Sequence, residues 1–315
     1  MQPRWDVLGI GCCAVDDMVY VPSFPETDSK TRVTKRVRRC GGLTGMALVA
    51  AARLGARCAY GGCLGDDESS RYVEANLVKE GVDVTAAPRS MEARVVNSVI
   101  IVGQDIASRN IFSQSEGMIG AHPALPEESV IRAARVLVID HFGMTGNLRA
   151  SRIAREAGVA VVSDFEKTTD PLFERVLELV DHLILSADAA RCLTQRADPA
   201  EAARALWRDD RAVVIVTCGE RGCWSVSKEG SATALHHHPA FSVIAQDTTG
   251  CGDVFHGAYA AAVARGDATA DRIEFASAAA ALKASLEDAP DLACVRRFLA
   301  DGANKRPHVA VRSQS

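Results

Sequence analysis

The stretch Phe241-Ser-Val-Ile-Ala-Gln-Asp-Thr-Thr-Gly-Cys-Gly-Asp-Val-Phe-His-Gly257 reads as a strand, a glycine turn and the opening of a helix. Phe241 to Ile244 is the strand-like part, and the Ala-rich run Val254 to Arg265 is the helix. Gly250 and Gly252 permit positive φ and close backbone approach. Successive N–H groups from Gly250 to Asp253 can then converge at the helix N-terminus, where unsatisfied donors and the helix dipole favour an anion. An aspartate is out of place there if phosphate is merely bound. It makes chemical sense as a base: Asp253 takes the proton of a hydroxyl that attacks a γ-phosphate, while the N–H groups of Gly250, Cys251 and Gly252 stabilise the developing charge. The plainer alternative is a glycine turn with an N-capping aspartate. The flanking Asp247-Thr-Thr249 and Phe255-His-Gly257 weigh against it.

Outward from this unit, strand-like and helix-like segments alternate, which predicts an α/β fold around a mostly parallel sheet. Expected strands are Val7–Ile10, Arg57–Leu64, Val136–Ile139, Val159–Val162, Leu183–Leu185 and Val213–Val216. Expected helices are Thr44–Leu54 stopped by Gly55, Glu68–Glu80 ended by Gly81, one ending near Gly158, and the Ala-rich pair Val254–Arg265 and Ala270–Leu286. Asp17 to Arg39 and Val95 to Phe112 break this rhythm: they alternate, and the first carries Pro22 and Pro25, so it cannot be a long helix. They predict a small second sheet over a pocket, built from segments of about 16–40 and 93–114. Residues 1–300 then form one α/β domain, and 301–315 a frayed tail.

A formal charge of −4 offers no case for nucleic acid, and the basic stretch Lys30–Arg39 reads as a solvated strand or loop face. Apolar runs are cut by charge well short of the roughly 18 residues of a membrane span. The start has no signal-peptide pattern, so a cytoplasmic protein is expected. None of the ten cysteines forms a Cys-x-x-Cys pair and most sit in apolar runs, which fits reduced thiols used as small hydrophobes. His236-His237-His238 has no cysteine or acidic neighbour to make a metal site and reads as a loop. Gly9-Ile-Gly11-Cys-Cys-Ala14 matches a dinucleotide fingerprint, but Val15 to Pro22 alternates and breaks, so the required helix is absent. There is no Gly-Lys dipeptide for a P-loop and no His-Arg-Asp loop.

Asp247 through Gly257 resembles the C-terminal signature of the PfkB, or ribokinase-like, carbohydrate kinases, with Cys251 where that signature has alanine. Gly41-Gly42 ahead of a helix ending Ala-Ala-Arg-Leu-Gly55, Gly65-Asp66-Asp67, and Thr217-Cys-Gly219-Glu-Arg-Gly222 resemble further family motifs in the right order. The resemblance covers roughly residues 5 to 290. It implies a ribokinase-like fold with a β lid, ATP and Mg²⁺, a sugar acceptor, and a homodimer through the lid. It also implies roles: Asp16, Gly41 and Gly42 on the acceptor, with Arg109 reaching in from the lid; Thr217, Gly219 and Gly222 on the nucleotide; a monovalent cation such as K⁺ near Asp247 and Thr249.

The departures gather on the acceptor side. Leu43 and Met46 stand where the family often has polar residues, which takes hydrogen bonds from the pocket. Ser186-Ala-Asp-Ala189 replaces the family's Asn-x-x-Glu, as in ketohexokinases, and Phe24–Ser29 and Asp164–Lys167 resemble that branch too. Glu166 and Asp188 are then candidates for phosphate-side roles, or surface carboxylates. The expectation is transfer of the ATP γ-phosphate to a primary hydroxyl of a ketohexose-like sugar. A nucleoside kinase of the same fold, or a non-catalytic sugar- or nucleotide-binding regulator, are the alternatives.

Overall fold

A computed structural model describes residues 3–103, 108–166, 169–286 and 288–301. In chain order the first half holds β1 (Trp5–Ile10), β2 (Ala14–Val21), β3 (Lys35–Gly41), α1 (Leu43–Arg53), β4 (Cys58–Tyr60), α2 (Glu68–Lys79), β5 (Val96–Gly103), β6 (Ser108–Gln114), α3 (Glu128–Arg132) and β7 (Ala134–Asp140). It continues with α4 (Met144–Ala157), β8 (Ala160–Asp164), α5 (Phe173–Leu177), β9 (His182–Ser186), α6 (Ala187–Thr194) and α7 (Pro199–Leu206). The last third is β10 (Val213–Thr217), β11 (Cys223–Glu229), β12 (Ala232–His238), α8 (Cys251–Arg265), α9 (Thr269–Ser285) and α10 (Leu292–Ala300).

Eight strands form the central sheet in the order β12-β11-β10-β9-β8-β7-β1-β4. Pairing is parallel from β4 to β10, and only β11 runs against its neighbours. The strand sequences show why. Val136, Val138, Val213 and Ile215 enter the core on one face, with α1, α8 and α9. Leu137, Ile139, Val214 and Val216 enter the core on the other, with α4 to α7. Strands that are apolar at every position must be covered on both faces, which is the parallel-sheet condition. Their C-terminal ends bring Gly11, Asp140, Asp164, Ser186 and Thr217 to one edge, where open α/β sheets bind ligands.

The second sheet has the order β3-β2-β5-β6. β2 pairs antiparallel with β3 but parallel with β5, so this sheet is mixed. Asp16 lies opposite Ser98, and Val102 opposite Arg109. With side chains alternating along each strand, Asp16, Ser98, Val102 and Arg109 share one face.

Three expectations change. The strand expected over Arg57–Leu64 keeps only Cys58–Tyr60. Beyond it the chain tucks beneath the end of β1, where a Cβ on Gly62 would stand 2.4 Å from the Tyr60 hydroxyl and 2.5 Å from the Gly11 carbonyl oxygen. The run Phe241–Ile244 is no strand: Phe241 is buried and makes an isolated bridge, but residues 242–244 join no ladder and Ile244 is 88% exposed. The triplet His236-His237-His238 is no loop but the end of β12, in register with Ser225, Trp224 and Cys223 of β11. An edge strand tolerates polar residues, and His236 Nε2 lies 2.8 Å from Glu229 Oε1 while His238 Nε2 lies 2.8 Å from Ser225 Oγ. All ten cysteines are free thiols. Among the described residues no helix is long and apolar enough to cross a membrane, and no cluster of metal-ligating side chains occurs. The expected frayed tail lies, from residue 302 onward, outside the described residues.

Candidate active site

Helix α8 begins without a side-chain cap, on Gly250 in the left-handed region at φ 76°. The Asp247 carboxylate accepts the Thr249 N–H at 2.8 Å, and the Ala284 carbonyl accepts from Gln246 N at 2.7 Å and Asp247 N at 3.2 Å. These bonds pin the turn ahead of the helix. The Cys251 N–H bonds back to the Thr248 carbonyl at 3.3 Å, and the first helical bond is Val254 N–H to the Gly250 carbonyl at 2.9 Å. Of the expected donors only the Cys251 N–H is thus taken, and the N–H groups of Gly250, Gly252 and Asp253 are left for an anion among the described residues. Gly252 does not take the positive φ its residue type permits. It is helical, and a Cβ there would meet nothing within 4 Å, so open space adjoins these donors.

Asp253, in the first turn of α8, lines a cavity of about 360 Å³ shared with Asp16, Gly41, Gly42, Met46, Asp247 and Lys283. Its carboxyl is held well above the usual carboxylate range, first by burial and then by the negative charge of Asp164, with His256 opposing. Asp164 is raised as well, by burial and then by Glu166. A carboxyl raised by desolvation and by a neighbouring carboxylate holds its proton more tightly, the condition of a stronger base. His256 lies between them in effect. Its Nδ1 is 2.8 Å from the Gly252 carbonyl and 3.3 Å from Asp164 Oδ2. The nearer carbonyl takes the hydrogen bond, since Asp164 Oδ2 is buried with no hydrogen-bond partner among the described residues, and burial lowers the His256 pKa, favouring the neutral ring. Burial pushes the Cys251 thiol up to about 11, so it is no nucleophile at neutral pH.

On the acceptor side, Asp16 projects from β2 toward Gly41, whose Cβ would stand 2.1 Å from Asp16 Oδ2. Only glycine leaves that carboxylate its place. Gly42 follows at φ 90° against the Cys13 backbone and starts α1. Burial raises Asp16, and a hydrogen bond from Ser98 opposes the rise. Arg109 reaches from β6 to the anion loop, its Nη1 donating to Thr249 Oγ1 at 2.8 Å. The two apolar departures separate. Met46 lines the cavity, whereas Leu43 packs toward the cluster of Cys12, Ala14, Val96 and Ile119.

Thr217 ends β10, and its hydroxyl donates to the Leu185 carbonyl at 3.3 Å. Gly219 opens a 3₁₀ turn, and Gly222, at φ 84°, lies so close to β12 that a Cβ would meet the His238 carbonyl at 2.0 Å. These three are not among the residues lining the cavity around Asp253. Asp188 is a surface group, its side chain 88% exposed and paired with Arg191 at 3.1 Å. Glu166 is exposed too, but it follows the end of β8 and its charge reaches Asp164 and Asp253.

Sequence reasoning missed three residues. Asp140, buried at the end of β7, accepts from Cys12 N at 2.6 Å, Thr44 Oγ1 at 2.8 Å and Phe142 N at 2.8 Å, tying the β1 end to the start of α1. His256 sits within the helix signature as an unremarked variable residue. Lys283 is 4% exposed, its Nζ has no hydrogen-bond partner among the described residues, and it lines the cavity. A single cation closing the Ala-rich run Ala278 to Leu282 was the available signal.

Comparison with known proteins bears on this geometry. Residues 7–290 match the family model described as pfkB family carbohydrate kinase. The ribokinase of Haemophilus influenzae is 27% identical over 296 residues, covering 89% of this chain and 92% of the relative. Fructokinase-1 of Oryza sativa subsp. japonica is 28% identical over 243 residues, covering 70% of this chain and 73% of the relative. The structure of Arabidopsis thaliana ribokinase complexed with ribose and ATP superposes with a TM-score of 0.80 at 20% identity, covering 95% of this chain and 99% of that one. A half-buried aspartate at an open helix start, a carboxylate in the same cavity from a β lid, and a family match over nearly the whole sequence lead to one conclusion: the chain belongs to the pfkB family of carbohydrate kinases and is an ATP-using sugar phosphotransferase with the ribokinase-like fold.

Proposed function

We propose that this protein transfers the γ-phosphate of ATP to a primary hydroxyl of a ketohexose-like sugar, with Asp253 as the base. The observation that carries the reading is the placement of Asp253: half-buried at the start of α8, beside free N–H donors, in one cavity with Asp16. A sugar whose hydroxyls are held by the Asp16 carboxylate presents its terminal hydroxyl to Asp253. Asp253 accepts that proton as the oxygen attacks the phosphorus. The Gly252 and Asp253 N–H groups receive the charge that gathers on the phosphoryl oxygens, and Arg109 steadies them from the lid. Thr217, Gly219 and Gly222 bind the nucleotide at the C-terminal end of β10.

Asp164 Oδ2, buried and without a hydrogen-bond partner among the described residues, fits a hard cation, as does the neighbouring carboxylate of Glu166. These two would hold Mg²⁺ entering with the nucleotide, where it shields phosphate charge. The lid supports a homodimer: its cross-strand pair Val99 and Phe112 is 45% and 60% exposed, apolar area that a second lid would cover.

An ADP-release screen over ketohexoses, aldopentoses, adenosine and cytidine tests the reading. A sugar should give the highest turnover, and Asp253→Asn should lower it by about 10² to 10⁴. ADP release no faster with any acceptor than with ATP alone sinks the proposal, as does an Asp253→Asn protein of near-full activity.

A further inference from the structure

The turn from Asp247 to Gly250, where the sequence motif suggests a monovalent cation, is already occupied by charge. Arg109 donates to Thr249 Oγ1 at 2.8 Å. Lys283, in the last turn of α9, lines the same cavity with its ammonium buried and unbonded among the described residues. Its Cε stands 3.9 Å from the position a Gly250 Cβ would take, and Asp253 Oδ2 stands 3.7 Å from that point. The end of the Lys283 side chain and the base therefore both border the loop at Gly250.

The oxygens that would surround a metal ion are also committed. Asp247 Oδ1 accepts the Thr249 N–H, and the Ala284 carbonyl accepts from Gln246 and Asp247. Burial alone would raise the Asp247 carboxyl. The Thr249 hydrogen bonds, with Lys283 and Arg109, outweigh it and leave Asp247 below its ordinary value. A free cation entering here would meet two fixed positive charges and oxygens that already accept hydrogen bonds. Potassium does not fit this turn.

A buried, unpaired ammonium is costly and persists only where something uses it. We propose that Lys283 supplies from within the chain the fixed positive charge that steadies the anion loop, so that phosphoryl transfer here needs no monovalent metal ion. This rests on the kinase reading above for its reaction, but its charge and geometry stand apart from the identity of the acceptor.

The test compares potassium, sodium and tetramethylammonium chloride at constant ionic strength. Wild-type ADP release and the calorimetric Kd of MgATP should agree within about 2-fold across the three salts. Lys283→Met, similar in shape and uncharged, should lower kcat by about 100-fold with the acceptor KM little changed. It should nevertheless melt above wild type, because a buried unpaired charge is gone. Lys283→Arg should recover part of the loss, and Lys283→Ala should regain activity and MgATP affinity when potassium or ammonium is added. A loss of about 10-fold or more in wild-type rate or MgATP affinity in tetramethylammonium overturns the proposal. So does a Lys283→Met protein with wild-type kcat. If no acceptor supports turnover, the sugar-kinase reading fails, and the MgATP titrations still decide on Lys283. Salt-independent binding in wild type with potassium-dependent binding in Lys283→Ala upholds it, and potassium-dependent wild-type binding refutes it.

Discussion

Replacing Gly41 by alanine isolates the acceptor side of the site. A Cβ at Gly41 would lie 2.1 Å from Asp16 Oδ2 and 2.9 Å from its Cγ, where ordinary contact begins at 3.4 Å. The carboxylate must therefore retreat by about 1.3 Å (3.4 − 2.1). Asp16 retreats by rotating its side chain, which breaks the Ser98 hydrogen bond that offsets its burial and turns its oxygens from the acceptor. A misplacement of about 1 Å in a positioning group costs on the order of 100-fold. Gly41→Ala should then lower kcat/KM for the sugar by about 100-fold and leave the KM for ATP within about 3-fold. Steady-state ADP release, with each substrate varied at saturating levels of the other, reads both values. A double-mutant cycle adds a second reading. If Gly41 acts only through Asp16, the pair Gly41→Ala and Asp16→Ala should be little worse than Asp16→Ala alone. The reasoning is refuted if Gly41→Ala keeps kcat/KM within about 3-fold of wild type, or if ATP suffers as much as the sugar.

Two further outcomes follow from the same contacts. Asp253 titrates above the usual carboxylate range because of burial and then the charge of Asp164. The deprotonated form is the base, so activity falls as pH drops through that raised value, and Asp164→Asn should move the acid limb of kcat/KM to lower pH. In stability the sign is opposite. A raised carboxyl makes the folded state hold the extra proton between its unfolded value and its folded one, so stability declines as pH climbs through that window. Asp164→Asn should lessen the decline and melt above wild type near pH 7; an unmoved acid limb would contradict the coupling. Gly257→Ala tests the frame instead, since its Cβ would stand 2.1 Å from the Ala47 carbonyl oxygen and force α1 away from α8. Such overpacking against backbone should cost about 3 kcal/mol and lower Tm by on the order of 6 °C or more. A thermal melt within about 1 °C of wild type would show that the helices do not meet there as described.

The fold was legible because its rules are local. Buried parallel strands are apolar at every position, as in Val213 to Val216, and helix ends wear glycine, as at Gly55 and Gly158. The failures have local causes of the same kind. Phe241–Ile244 has strand residues but makes a single bridge at Phe241 and no ladder, and propensity cannot report how far pairing extends. The histidine triplet was read by polarity, yet β11 offers its backbone a ladder and an edge strand has no apolar requirement. In the site, contiguous motif residues such as Asp247 to Asp253 could be read together because one turn holds them. Asp140 and Lys283 could not, since their meaning comes from α1 and α8, which lie far from them in sequence. A lysine in an alanine helix looks like a solvated face until packing shows it 4% exposed.

The site keeps a carboxyl and an ammonium apart at a cost in stability. Asp253 and Lys283 both flank Gly250, yet their charged ends form no ion pair; Lys283 is buried and Asp253 half-buried. Bringing them together would relieve both, because an adjacent ammonium favours the charged carboxylate and lowers its pKa. That relief would spoil the chemistry twice over. The base would weaken as its affinity for the acceptor's proton fell, and the ammonium would no longer be free to face phosphate. Separation by the α8 start holds the carboxylate against Asp164, which strengthens it as a base, and holds the ammonium against the anion loop, where negative charge grows during transfer. Substrates resolve both costs together, the sugar hydroxyl for Asp253 and the phosphate for Lys283. Binding of the two should therefore raise stability beyond what mass action on a neutral pocket gives, because two desolvated charges find partners in one event.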